Sequence, residues 1–102
     1  MRLVHSVGVA QQHYVFNLYI AGASAHSSRA IASITHLCEG RLNGRCQLKI
    51  IDLYLLPALA KEDNILAVPT LIRKFPLPMR RMIGDLCDVT ALLQEDDWSD
   101  RP

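Results

Sequence analysis

The chain is expected to fold as one α/β domain, and three observations lead there. Residues 14–21 (YVFNLYIA) and 46–53 (CQLKIIDL) are apolar segments of strand length. Between them apolar residues recur at Ala30, Ile31, Ile34, Leu37 and Cys38, the spacing of a helix laid on a sheet. The 102 residues are 50% apolar, enough for one core and too apolar for a disordered chain. Strand, helix, strand in that order makes a βαβ unit, whose two strands run parallel.

Residues 1–13 read as an N-terminal extension, expected to be poorly ordered. Residues 14–94 read as the folded domain and 95–102 as an acidic tail. The first strand is aromatic and β-branched, with one polar break at Asn17. A loop of small residues follows at 22–27, where Ser24 or Ser27 is available as a helix N-cap. Gly40 or Asn43-Gly44 ends the helix. Pro57 suits the first turn of a short helix over 58–64. A third strand is expected over 68–75 and a fourth over 79–83, joined through Pro76 and Pro78. Gly84 and Asp85 break the fourth strand, and Cys87 or Asp88 caps a last helix. This second half is locally ambiguous. Residues 79–83 carry helix-tolerant Met and Arg, and 89–94 mix strand and helix formers. Weak local propensity permits more than one packing.

The net charge of +1 argues against a general nucleic-acid binder. The charge is unevenly placed. Arg73, Lys74, Arg80 and Arg81 form a basic cluster, and Asp85, Asp88, Glu95, Asp96, Asp97 and Asp100 follow as an acidic stretch. Such polarity suits a protein–protein surface, or head-to-tail contact between copies. A plain solvated face is the alternative. Cys38, Cys46 and Cys87 form no CxxC and share no zinc spacing with the histidines. Cys38 is expected in the core, and the sparse, odd count fits a reducing cytosol. The N-terminus is too short and polar for a signal peptide, and no apolar run has membrane-spanning length. A soluble, cytoplasmic protein is expected.

The run Val68-Pro69-Thr70-Leu71 resembles the opening of a buried strand in thioredoxin-like folds. The two cysteines of a redox enzyme are absent. The loop after the first strand, Gly22-Ala23-Ser24-Ala25-His26-Ser27, offers only hydroxyls and an imidazole, and disulfide exchange needs a thiolate. Ser24 or Ser27 is better read as a helix cap than as a glutathione ligand. Glu62-Asp63 looks like a carboxylate pair, but adjacent helical residues point apart. No motif implies a metal, a cofactor or catalysis, and a scaffold without its chemistry is expected to bind a partner. Pro69, Pro76 and Pro78 add a slow conformational choice, since a cis X-Pro bond costs only about 0.5–1 kcal/mol.

The ordered motifs LYIAG (18–22), SSRAI (27–31), LKIID (48–52), P-x-L-A-x-E-D-x-I-L-A-x-P-T-L (57–71) and P-x-P-x-R-R-x-I-G-D-L (76–86) resemble the KaiB family of bacterial circadian-clock proteins. The resemblance runs from Tyr14 to Leu93. It implies a metamorphic domain related to thioredoxin, with a βαβ half common to two folds. The second half is βααβ in an oligomeric ground state (dimer or tetramer) and αββα in a thioredoxin-like state. That second state binds the ATPase ring of KaiC. In some systems it also captures KaiA or displaces the thioredoxin-like sensor of a histidine kinase. The expected partner-contact residues are Arg29, Lys49 and Lys61 within those motifs, and the cluster Arg73, Lys74, Arg80 and Arg81. The expected switching residues are Pro69, Pro76, Pro78, Gly84 and Asp85, with the Val68–Pro69 bond cis in the thioredoxin-like state. Asn17 and Asn64 stand where the family often has Lys, and Gln47 alters the strand edge linked to KaiA capture. The KaiC partnership therefore carries over better than the KaiA one.

Three functions compete on these grounds. A non-enzymatic, fold-switching regulator of a KaiC-type ATPase predicts slow binding and no chemistry. A redox or glutathione-handling thioredoxin relative predicts insulin reduction. A thioredoxin-like sensor module competing for the same ring predicts one rigid fold.

Overall fold

A four-stranded sheet has helices on both faces, and the order of elements follows the apolar pattern. The computed structural model describes residues 13–84 and 89–93. The βαβ half consists of β1 (Tyr14–Ile20), α1 (Ala25–Glu39) and β2 (Cys46–Asp52). It continues through α2 (Ala58–Glu62), β3 (Thr70–Phe75), β4 (Arg80–Ile83) and a 3-10 turn at Val89–Leu92. Strand order is β2-β1-β3-β4. β1 and β2 are parallel, as the βαβ reading requires, and β3 runs antiparallel to both β1 and β4. The second half thus takes the helix–strand–strand order of the thioredoxin-like alternative.

Successive strand residues point to opposite faces, and β1 fills both. Tyr14, Phe16 and Leu18 meet Ala30, Ile34, Leu37 and Cys38 of α1, with Leu71, Leu92 and Leu93 completing the core. The Tyr14 and Phe16 rings stack at 5.8 Å. On the other face Tyr19 packs with Ile51, Ile65 and Ile72, and Leu59 and Ala60 lie against them. Each fully buried large apolar side chain contributes roughly 1.5–3 kcal/mol. Of the two capping serines Ser24 does the work, its Oγ accepting from the Ser27 amide at 3.1 Å. Gly40 closes α1 by donating to the His36 carbonyl at 2.8 Å. Left-handed Asn43 and Gly44 (φ 53° and 80°) then turn the chain into β2.

Several boundaries differ from expectation. α2 stops at Glu62 because Asn64 is left-handed, with φ 56°. β3 begins at Thr70 rather than 68, since Pro69 has no N–H for a ladder. Thr70 Oγ1 instead fixes the approach to the strand by donating to the Ala67 carbonyl at 2.6 Å. The Val68–Pro69 bond is cis, as are Phe75–Pro76 and Leu77–Pro78. The cap of the expected last helix, at Cys87 or Asp88, lies outside the described residues, as do Asp85, residues 1–12 and the acidic tail. Val89–Leu92, which is described, forms a 3-10 turn instead.

The cysteines need correction. Cys38 is in the core as expected, but it is disulfide-bonded to Cys46, with Cα atoms 5.7 Å apart. The pair joins the end of α1 to the first residue of β2. The two lie eight positions apart in sequence, a spacing that matches no redox or metal motif and becomes a contact only through the turn at 40–45. Among the described residues no helix is long and apolar enough to cross a membrane.

Candidate functional site: an apolar end of the sheet

The register brings four segments to one end of the sheet. Ile20 ends β1 beside Asp52 of β2, and Tyr19 pairs with Thr70, which pairs with Ile83. The loop at Gly22, the turn at 53–56, the approach to β3 and the exit from β4 therefore meet. Gly84 N donates to the Pro69 carbonyl at 3.1 Å across this end. Asp52 organises it. Its Oδ1 accepts from the Gly22 amide at 3.0 Å and from the Tyr54 amide at 2.9 Å. Gly22 is left-handed (φ 70°), and a Cβ there would lie 2.9 Å from the Tyr54 ring. Tyr54, Leu55, Leu56, Leu66 and Val68 are all exposed on this structured end, Tyr54 by 75% and Leu66 by 92%. Large apolar side chains held outward by a bonded frame make this end the candidate interaction surface.

A polar network lies beneath, on the α2 face. The buried Tyr19 hydroxyl donates to Asp63 Oδ2 at 2.6 Å, with Asn17 Nδ2 at a long 3.4 Å. Arg81 of β4 donates to the carbonyls of Asn64 at 2.9 Å and Asp63 at 3.3 Å. The network ties β1, the end of α2 and β4 together. A cleft of about 250 Å³ is lined there by Tyr19, Glu62, Asp63, Lys74 and Arg81, among others. Burial, and then the bond to Asp63, push the Tyr19 phenol above its ordinary value. The folded state therefore favours the neutral phenol. The resulting stability is full below about pH 10, the unfolded value, and is lost as pH rises through the higher folded value. Tyr19→Phe is expected to cost toward the low end of about 1.5–3 kcal/mol and to flatten this alkaline loss. Urea midpoints for both proteins at neutral and alkaline pH check this, and an equal alkaline fall in the variant would contradict it.

The structure separates the residues expected at the site. Arg29, Lys49, Lys61, Lys74, Arg80 and Arg81 are exposed. Arg73 is not, and leaves the surface cluster: only 3% exposed, it donates to the Leu92 carbonyl and the Pro78 carbonyl, each at 2.7 Å. Among the described residues its Nε has no hydrogen-bond partner, and burial lowers its pKa. The strand face explains this. Arg73 pairs with Phe16 and lies two residues from Leu71 on the same strand face, so it points into the α1-side core. Pro69 and Pro76 are buried, and Pro78 is exposed. Glu62 and Asp63 do not act as a pair, since Asp63 serves Tyr19. Among the described residues no cluster of His, Cys, Asp and Glu is arranged to hold a metal. Sequence reasoning passed over Asp52, Tyr54, Leu55, Leu56 and Leu66. The one available signal was the apolar run Leu53-Tyr54-Leu55-Leu56 stopped by Pro57.

A family model described as the KaiB domain matches residues 17–98. A circadian clock oscillator protein KaiB from Prochlorococcus marinus subsp. pastoris is 45% identical over 85 residues, covering 83% of this chain and 79% of its own. That of Synechococcus elongatus is 47% identical over 80 residues, 78% of each chain. Among solved structures, mitochondrial thioredoxin 3 from Saccharomyces cerevisiae has a TM-score of 0.62 at 20% identity, over 88% of this chain and 83% of that one. The N-terminal domain of Synechococcus elongatus SasA has a TM-score of 0.53 at 19% identity, over 72% and 70%. These two share the fold.

Proposed function

The chain belongs to the KaiB family, and on that premise we propose that it is a non-enzymatic clock-type regulator that docks on the ring of a KaiC-type ATPase. The observation that carries this reading is the apolar end built on Asp52, where Tyr54, Leu55, Leu56, Leu66 and Val68 stand exposed on a bonded frame. The cations Lys61 and Arg81, with Lys74 and Arg80 further along the β3–β4 pair toward its other end, steer association, and Arg29 and Lys49 extend the charged rim. The opposite end exposes Phe75, Leu77 and Met79 beside Arg80, and serves self-association of the free protein.

The reading includes fold switching through the second half. α2 has five residues and buries none of them, and β4 is a four-residue edge strand. Little packing holds α2 and β4, although β3 between β1 and β4 is buried, so an alternative arrangement of these outer elements within a few kcal/mol is accessible to selection by a partner. Pro69, Pro76, Pro78 and Gly84 lie in the connections that must rearrange, with Asp85 just beyond. KaiA-type proteins and a kinase sensor domain are secondary partners in this scheme.

The test compares the free protein with the protein plus a KaiC-type ATPase and ATP, by NMR and by size-exclusion chromatography. A ring complex that forms slowly, with shifts concentrated in residues 54–84, is expected. A paired reversal of Arg80 and Arg81 to Glu should slow ring association at low salt and reduce its salt dependence. An unchanged oligomer size and an unchanged association rate in that variant would reduce the cluster to a solvated face.

A further inference from the structure

We propose that Cys38 and Cys46 form a redox-reversible clasp that exchanges with glutathione-type disulfides and thiols. The inference is independent of any partner. It starts from where the pair sits. Cys38 lies on the buried face of α1 and is 8% exposed, whereas Cys46 is partly exposed at the start of β2. β2 is the edge strand among the described residues, and Cys46 at its start is only partly covered by the α1-side core. Disulfides kept permanently are uncommon in reducing compartments, where exchange-competent pairs are the usual form.

These positions assign the two roles. The Cys46 thiolate attacks one sulfur of oxidised glutathione, forming a mixed disulfide and releasing one glutathione thiolate. The Cys38 thiolate then attacks Cys46 Sγ and expels the second. The protein loses two electrons and two protons, and one oxidised glutathione becomes two reduced molecules. Reduction runs the same steps backwards, beginning at Cys46, the less buried of the two residues.

The clasp acts on the start of the β1–β2 ladder. Tyr14 pairs with Cys46, and its amide donates to the Arg45 carbonyl at 2.9 Å. The oxidised pair ties that first rung to the end of α1. Reduction releases the tie and loosens the turn at 40–45 and the exposed edge of β2, where Gln47, Lys49 and Ile50 face solvent. Redox state thereby sets how firmly this edge is presented.

The experiment uses the full chain carrying Cys87→Ser, equilibrated in buffers of varying reduced to oxidised glutathione. Thiol alkylation with mass spectrometry reads the state, and amide exchange reads the edge. The expected result is a reversible two-electron transition within the glutathione range. At least tenfold faster exchange is expected at residues 40–48 in the reduced form, with β3 unchanged. Adding Cys38→Ser should trap glutathione on Cys46, and adding Cys46→Ser should leave Cys38 unmodified. Thiols that never pair in the most oxidising buffer would overturn the proposal. So would a bond that survives the most reducing one, or a trap at Cys38 instead of Cys46.

Discussion

Arg73→Ala is expected to destabilise the domain by roughly 3–5 kcal/mol. The guanidinium supplies the Leu92 and Pro78 carbonyls with hydrogen bonds of 2.7 Å each, and each orphaned buried acceptor costs about 1–3 kcal/mol. Loss of the aliphatic stem from the α1-side core adds a cavity term. A domain of this size shifts by about 4–8 °C per kcal/mol, so the melting midpoint should fall by on the order of 15 °C or more. Arg73→Met gives the instructive contrast. It keeps the stem and removes a buried charge that no carboxylate among the described residues pairs with, and an apolar replacement for a buried ion is often tolerated. Its loss should be clearly smaller than that of alanine. Lys has no planar fork to reach two carbonyls, so Arg73→Lys should lose one of the two links. Amide exchange should rise first around Pro78 and Leu92, the two places the guanidinium joins. An Arg73→Ala protein with an unchanged midpoint would mean the two bonds contribute nothing net.

Arg73 also shows where sequence reading reaches its limit. The βαβ half was legible because its apolar residues keep strict periods: Tyr14, Phe16 and Leu18 at period two, Ala30, Ile34, Leu37 and Cys38 at helical spacing. Arg73 breaks that pattern. A charged residue beside Lys74 reads as surface, and only its pairing opposite Phe16 reveals an inward side chain. The Cys38–Cys46 contact depends on two left-handed residues, Asn43 and Gly44, that set the path of a short turn. The apolar end was hidden for another reason. Tyr54 and Leu66 look like core residues by composition, and their exposure follows from the Asp52 bonds and the short α2, which are tertiary facts. In the second half the order α2, β3, β4 was legible, but its bounds shifted by one to two residues and the ambiguity of its short elements stayed open, because their packing comes from β1, a distant part of the chain.

Tyr54→Ala separates function from stability, and its expected effect on binding is the larger one. Tyr54 is 75% exposed, so truncation should move the unfolding midpoint by no more than about 0.5 kcal/mol. The bond to Asp52 uses the Tyr54 backbone amide, and survives the change. If the apolar end meets the ATPase ring, Tyr54 sits at its centre, packed over Gly22. Central aromatic residues of interfaces typically cost about 2 kcal/mol or more when truncated, a loss of roughly 30-fold in affinity. Leu77→Ala, at the opposite end of the sheet, is the matched control and should leave ring affinity within about twofold. Asp52→Ala should weaken both properties, because the Gly22 and Tyr54 amides lose their common acceptor. Titration of each purified variant against the ring, alongside urea unfolding, checks the pattern. Full affinity in Tyr54→Ala with a loss in Leu77→Ala would move the docking surface to the β3–β4 turn, and with it the assignment of which end of this sheet serves the partner and which serves a second copy of the chain.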